Sequence, residues 1–200
     1  MVALSELHTR PAFDPFHDRS CRDLRNELSE ELMAMIHGAD RSIATTLMEE
    51  YRSRCINPTL REYLEDRLTR YQWVLAQIAA TGAGVDDTYE IAVLLWDLGL
   101  FFEVHEWLEG KWLTASGVEK EVLQALIRAA GTYIHLRHGR PEGAAKMAAK
   151  AVAALRTHQA LVPRVFDVEV LLAKLAVLDP VPPTFGRAQE RLNYSAPALV

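Results

Sequence analysis

The chain has 200 residues, enough for one substantial hydrophobic core or two small ones; half of the residues are hydrophobic and 24% are charged. The formal net charge of −5 argues against a general nucleic-acid-binding protein, which is normally basic. No stretch approaches the roughly 18 uncharged apolar residues of a membrane-spanning helix, and the N-terminus lacks a signal-peptide pattern. We therefore expect a cytoplasmic protein without a membrane or nucleic-acid partner, whose two cysteines, Cys21 and Cys55, are free thiols.

The N-terminal part is predicted to be an arm followed by helices. Residues 1–18 form the irregular arm, because Pro11 and Pro15 interrupt any helix. Apolar residues at helical spacing, together with glycine and proline stops, then predict three helices. These run from Ser20 to Gly38, from Asp40 to about Cys55, and from Pro58 to about Ala80. We assign residues 19–81 to an N-terminal helical subdomain.

The stretch from Thr81 to Gly84 is predicted to be a linker, after which residues 86–178 form a second helical bundle. Its first helix, capped by Asp86, Asp87 or Thr88, ends at Leu98. Gly99 then makes a tight corner, and the stretch from Leu100 to Leu113 forms the next helix. Three further helices are expected over residues 119–138, 141–158 and 166–178. Pro180, Pro182 and Pro183 are expected to end the ordered structure, leaving residues 179–200 as a tail.

No segment shows convincing strand alternation between turn signals. The predicted fold class is therefore all-α, a bundle of about seven or eight helices in antiparallel hairpins. No fixed period repeats, so a helical-repeat array is not indicated.

One segment, Leu100–Leu113, combines apolar bulk with ionisable groups more densely than any other. It contains two of the six Phe, two of the four Trp, three Glu and one His. On a helix advancing about 100° per residue, His105 and Glu109 are neighbours within an otherwise apolar stripe. Glu106 lies at the edge of that stripe, and Glu103 is expected to point well away from it.

The spacing His105-Glu106-x-x-Glu109 is HExxE, which differs from the zinc-protease pattern in lacking the second His. A divalent metal could take His105 and Glu109 as ligands from one helix face, with further ligands from elsewhere. Alternatively, His105 could carry a proton, oriented by Glu109, with Glu106 as a second carboxylate. The competing interpretation is a buried His–Glu hydrogen-bonded pair that holds the helices in register.

The predicted helix over residues 119–138 carries a second polar stripe. Its exposure to solvent is the simplest interpretation, but Gly131 in its middle indicates a close approach by another element. His135 and His138 could bind a metal together. Alternatively, they lie there because histidines near a helix C-terminus interact favourably with the helix dipole. The stripe consists of Gln124, Arg128, Gly131, His135 and His138.

The N-terminal helix carries Arg22, Arg25 and Asn26 on one side. They could reach a carboxylate or phosphate group, but a solvated ladder of charges is the favoured interpretation.

The letters GLFFEVHEWLE from Gly99 to Glu109, followed by Trp112, resemble the G-x-Y/F-F-E-x-H-E-x-L-E-x-x-W signature of the family known as domain of unknown function 309. The resemblance continues through LQALI at 123–127 and YIHL at 133–136, and covers about residues 88–155. Residues 12–80 are similar to the N-terminal helical extension of some bacterial members.

The resemblance implies a small all-α bundle in a bacterial or archaeal type of protein. It also implies a characteristic polar cluster formed by His105, Glu106, Glu109, Gln124 and His135. It supplies no activity, and His138 stands where basic residues are usual, so the resemblance does not support a metal pair there.

Two hypotheses follow for the function. In the first, His105, Glu106 and Glu109 form a catalytic or metal-assisted site, and Gln124, Arg128 and His135 bind the ligand. In the second, the chain is a structural or protein-interaction module and the same residues form a buried network. The sequence does not distinguish an enzyme from such a module. It leaves the metal, the small-molecule or protein partner and the formation of a homo-oligomer open.

Overall fold

The structure is a computed structural model that describes residues 13–38, 49–53, 57–82 and 87–186. Every regular element in these ranges is helical, which confirms the predicted all-α class. The chain divides into two compact units, residues 1–75 and 76–200. No helix in the described ranges has the length and apolar character needed to cross a membrane.

The first unit is built on helix α1, Arg19–Ile36, and on helix α2, Pro58–Thr81, which continues past the unit boundary. Asp18 caps α1 by accepting hydrogen bonds from the backbone N–H groups of Ser20 and Cys21. Phe13, from the predicted arm, stacks on Tyr63 with ring centroids 3.6 Å apart. The predicted helix from Asp40 to Cys55 is described only at residues 49–53, which are helical; its remainder, with Cys55, lies outside the described residues.

Between residues 87 and 186, the second unit has five α-helices joined by short connections, and each packs against the next along the chain. Connections of a few residues favour antiparallel neighbours. The bounds are α3, Thr88–Asp97; α4, Phe101–Thr114; α5, Gly117–Arg137; α6, Pro141–Thr157; and α7, Val168–Ala176, with a 3-10 turn at Gln159–Leu161 before α7.

Aromatic side chains fix α3, α4 and α5 to one another. The Trp96 ring lies edge-on to Phe101 and Tyr133, with centroids 5.0 and 5.4 Å away. All three side chains are at most 2% exposed. Contacts of this kind add to the apolar burial itself, so they hold the candidate site on α4 in a fixed relation to α5.

The predicted tail differs from expectation, because its first residues are anchored to the second unit. The indole N–H of Trp96 donates to the carbonyl oxygen of Pro183 over 2.9 Å, and the N–H of Phe185 donates to the Asp97 carboxylate over 2.7 Å. The Phe185 ring also packs on Trp96 and Phe166. Prolines exclude a helix but leave carbonyl oxygens and neighbouring rings free to dock. The remainder of the tail, residues 187–200, lies outside the described residues.

Candidate metal centre

Helix α4 brings three potential metal ligands together on one part of its surface. The Nδ1 atom of His105 lies 3.2 Å from a carboxylate oxygen of Glu106 and 3.8 Å from one of Glu109. One ligand atom from each residue can be chosen so that all three lie within 4.8 Å of one another. The positions i, i+1 and i+4 of a helix produce this grouping with no help from the rest of the fold.

The cluster is open to solvent. The side chain of His105 is 32% exposed, that of Glu106 is 37% exposed, and that of Glu109 is 46% exposed. The nearest partner of His105 is Glu106, whereas the sequence suggested that Glu109 orients the imidazole. These exposures differ from those of a sealed hydrogen-bonded network.

The burial of α4 differs from the stripe drawn from the sequence. Glu103, expected to point well away from the apolar stripe, is fully buried. Trp107 is also buried, and its indole N–H donates to the carbonyl oxygen of Thr88 over 2.8 Å. The physical reason is that α4 packs against both α3 and α5, so its buried face is wider than one stripe. His105 and Glu109 therefore lie at the edge of the buried face.

Trp112, at the end of the same edge, contacts the following helix. The ammonium group of Lys120, in the first turns of α5, lies 4.3 Å from the centre of the Trp112 ring. A cation over an indole ring is attracted by the negative face of the ring. Lys120 belongs to no motif in the sequence, and its contact with Trp112 depends on the packing of the two helices.

The residues of the second polar stripe lie in two different environments. Gln124, in the N-terminal half of α5, and Arg128, near its middle, are half-buried. His135 lies against α6, where a β-carbon on Gly143 would come within 3 Å of its ring. Burial lowers the pKa of His135, and the positive charge of Arg140 lowers it further. Gly131 likewise faces α6, at Met147, as its position in the stripe suggested.

The candidate anion-binding residues of the N-terminal helix lie in the first unit. Arg25 donates two hydrogen bonds to the side-chain oxygen of Asn26, its neighbour in sequence. Arg22 is exposed. These residues belong to the first unit, whereas the HExxE helix belongs to the second.

Gly99, the first residue of the motif, has a structural explanation. Its φ of +66° lies in the left-handed region that favours glycine. A β-carbon at this position would clash with the guanidinium of Arg137, which donates a hydrogen bond to the Gly99 carbonyl oxygen. The motif therefore combines a corner, a buried face and the exposed cluster in one segment.

The family comparison covers this same segment. Residues 89–147 match the sequence model of the family described as Domain of unknown function (DUF309). No match was found among curated proteins or among solved structures. The matched range contains the whole motif from Gly99 to Trp112 and the polar stripe of α5 as far as His138. Residues 89–147 are therefore similar to the DUF309 family, as the motif predicted.

Proposed function

We propose that the DUF309 domain binds a divalent metal ion through His105, Glu106 and Glu109 and offers it to a small-molecule ligand. The spacing of the three ligand atoms carries this proposal. Nitrogen and oxygen ligands stand about 2.0–2.2 Å from zinc, so two ligands of one ion are roughly 3–4 Å apart. The distances of 3.2 and 3.8 Å from His105 Nδ1 to the two carboxylates agree with that range.

One imidazole and two carboxylates favour a metal ion that accepts both nitrogen and oxygen ligands. Imidazole suits zinc, iron and nickel, while carboxylates suit magnesium, calcium and manganese, so one His with two Glu fits Zn²⁺ or Mn²⁺. Two carboxylates also balance the charge of a divalent ion. Three protein ligands on one exposed surface leave at least one coordination position for water or a ligand, which is the arrangement of catalytic metal sites.

A bound metal would act as a Lewis acid towards an oxygen of the ligand. The roles of the chain's own groups follow from their chemistry. His105 supplies a neutral nitrogen, and Glu106 and Glu109 supply negative charge. The packing of α4 against α3 and α5 keeps the helix that carries all three ligands in place.

The proposal is tested by metal binding to the whole chain. Protein stripped with a chelator is dialysed against Zn²⁺ or Mn²⁺, and the bound metal is measured by mass spectrometry of the elements. We expect about one ion per chain for the wild type. His105→Ala and Glu109→Gln should each weaken binding by roughly tenfold or more, with unchanged circular dichroism.

Two control variants change the same residue types elsewhere: His37→Ala at the exposed end of α1, and Glu142→Gln in the exposed first turn of α6. Both should bind metal as the wild type does. Equal binding by His105→Ala, or no stoichiometric binding by the wild type, would contradict the metal site. The competing hypothesis of a register-fixing network instead expects His105→Ala to unfold at lower temperature in metal-free buffer and to show no metal effect.

A further inference from the structure

Apolar side chains flank the proposed metal ligands at both ends of the solvent-facing side of α4. Phe102 is half-buried, and its ring lies parallel to the imidazole of His105 with centroids 6.4 Å apart. Leu113, one turn beyond Glu109, is 68% exposed. At about 100° per residue, Phe102, Glu106, Glu109 and Leu113 lie within roughly 60° of one another. These four residues form the exposed stripe of α4.

The exposed stripe is complementary to a reversed copy of itself. A helix rises about 1.5 Å per residue, so Phe102 and Leu113 lie about 8 Å on either side of the midpoint between residues 107 and 108. Glu106 and Glu109 lie about 2 Å on either side of the same midpoint. A two-fold axis at this point therefore sets Phe102 opposite Leu113 of a second copy, and Glu106 opposite its Glu109, with both pairs occurring twice.

Gly110 provides a second observation on the same side of α4. It lies one turn after Glu106 and one turn before Leu113. In the part of the chain that the structure describes, no atom lies within 4 Å of the position that its β-carbon would take. Glycine weakens a helix relative to alanine, and packing within this chain does not require it here. The missing side chain gives the backbone of a second helix room to approach beside the stripe.

The proposed metal ion also needs further ligands. Zinc sites have four ligands or more, and manganese takes six, whereas α4 supplies three. In the reversed pair, four carboxylates surround two divalent ions, so their charges cancel. Without metal, the same carboxylates repel one another. A helix of 14 residues is only about 21 Å long, and one pair of such helices is a smaller contact than the roughly 1,200 Å² of a stable interface. The pairing of two copies therefore depends on the metal.

We propose that α4 is the interface of a metal-bridged dimer, in which a second copy of this chain packs antiparallel on the exposed stripe and adds a carboxylate ligand to each ion. This inference rests on the proposed metal site. Phe102 of each copy contacts Leu113 of the other, and these apolar contacts enclose the two ions from both ends. Zn²⁺ with five ligands, or Mn²⁺ with six, still keeps a position for the small-molecule ligand.

The test measures mass and metal content in the same samples of the full chain. Protein stripped with a chelator, and protein loaded with Zn²⁺ or Mn²⁺ and dialysed free of excess metal, are compared by sedimentation equilibrium and by mass spectrometry of the elements. We expect a monomer without metal and a dimer with two ions after loading. Adding the chelator again should restore the monomer.

Leu113→Glu places a carboxylate opposite Phe102 of the second copy and should weaken dimerisation roughly tenfold or more, since a charge is then buried against an apolar ring. Leu161→Glu is the matched control, because Leu161 is 62% exposed elsewhere in the second unit, and it should dimerise as the wild type does. Gly110→Gln should weaken the dimer while its unfolding temperature as a monomer stays equal or rises, since its β-carbon meets no other group of its own chain.

The outcomes separate the dimer from the metal site. One ion per chain on a protein that stays monomeric would overturn the dimer and leave the metal site standing. The same dimer with and without metal, or equal dimerisation by Leu113→Glu and Leu161→Glu, would overturn the metal-bridged pairing through α4. A wild type that binds no metal would overturn the metal site and, with it, the bridge.

Discussion

The guanidinium of Arg137 occupies the space where a β-carbon on Gly99 would lie, and it donates to the Gly99 carbonyl oxygen. The corner before α4 is thereby tied to the end of α5. Gly99→Ala should lower the free energy of unfolding by about 2–3 kcal/mol. Of this, about 1–2 kcal/mol comes from placing Ala at positive φ, and the remainder from displacing Arg137. Urea denaturation measures the change.

Gly139→Ala provides the matched control, since Gly139 also has a positive φ, +61°, but no atom would meet its added β-carbon within 4 Å. It should lose only the backbone contribution, about 1–2 kcal/mol. In an Arg137→Ala background, the loss of stability caused by Gly99→Ala should likewise fall to that smaller value. Equal losses for Gly99→Ala in both backgrounds would contradict a coupling between the two residues.

Stability should depend on pH through His135. Its pKa is lowered in the folded state by burial and by Arg140, from an ordinary value of 6.5. The unfolded chain therefore binds a proton more readily, and stability is lost as the pH falls below 6.5 towards the lowered value. His135→Gln removes this titration. In denaturation series run from pH 8 to about pH 5, the free energy of unfolding should fall more steeply with decreasing pH for the wild type than for the variant.

His37→Gln serves as the comparison, because His37 is an exposed histidine at the end of α1. It gives the effect of the same substitution at a position outside α5. A wild type and a His135→Gln variant whose stabilities run parallel through that range would refute the assignment to His135.

The anchored segment after α7 should contribute to stability. Phe185→Ala removes a ring that packs on Trp96 and Phe166, and should cost about 1–3 kcal/mol for a half-buried side chain. Thr184→Ala, at the exposed neighbouring residue, should stay within about 0.5 kcal/mol of the wild type. Thermal unfolding of both variants checks this, and equal midpoints would show that the segment adds nothing.

Trp107→Phe should cost about 1–3 kcal/mol, because it leaves the carbonyl oxygen of Thr88 without its indole donor. Trp73→Phe makes the same substitution at a half-buried position whose indole N–H has no bond within the described ranges. The control should lose less than Trp107→Phe in urea denaturation. The opposite order would show that ring volume, and not the hydrogen bond, dominates.

Sequence patterns predicted those features that depend on local geometry. Helical spacing and the glycine and proline stops gave the all-α class, and the spacing within one helix placed His105, Glu106 and Glu109 together. Helix boundaries differ from the predicted ones where a cap sets the start. Helix α7 begins at Val168, two residues after the expected start at Phe166, because Asp167 caps it by accepting a hydrogen bond from the Val170 N–H.

Features that depend on the interhelical arrangement were not predictable. The burial of Glu103 requires knowing that α4 is covered on two sides. The contacts of Lys120 with Trp112 and of His135 with Gly143 each join two helices, so no single periodic pattern contains them. The docking of Phe185 joins positions 88 residues apart through Asp97.

The origin of all three proposed metal ligands in one helix has a consequence for how the site could change. The spacing of His105, Glu106 and Glu109 is set by the backbone of α4 and not by contacts between helices. Metal affinity would then tolerate movement of the neighbouring helices. Substitutions in the packing of α4 would change the exposure of the three ligands to solvent before they change the distances between them.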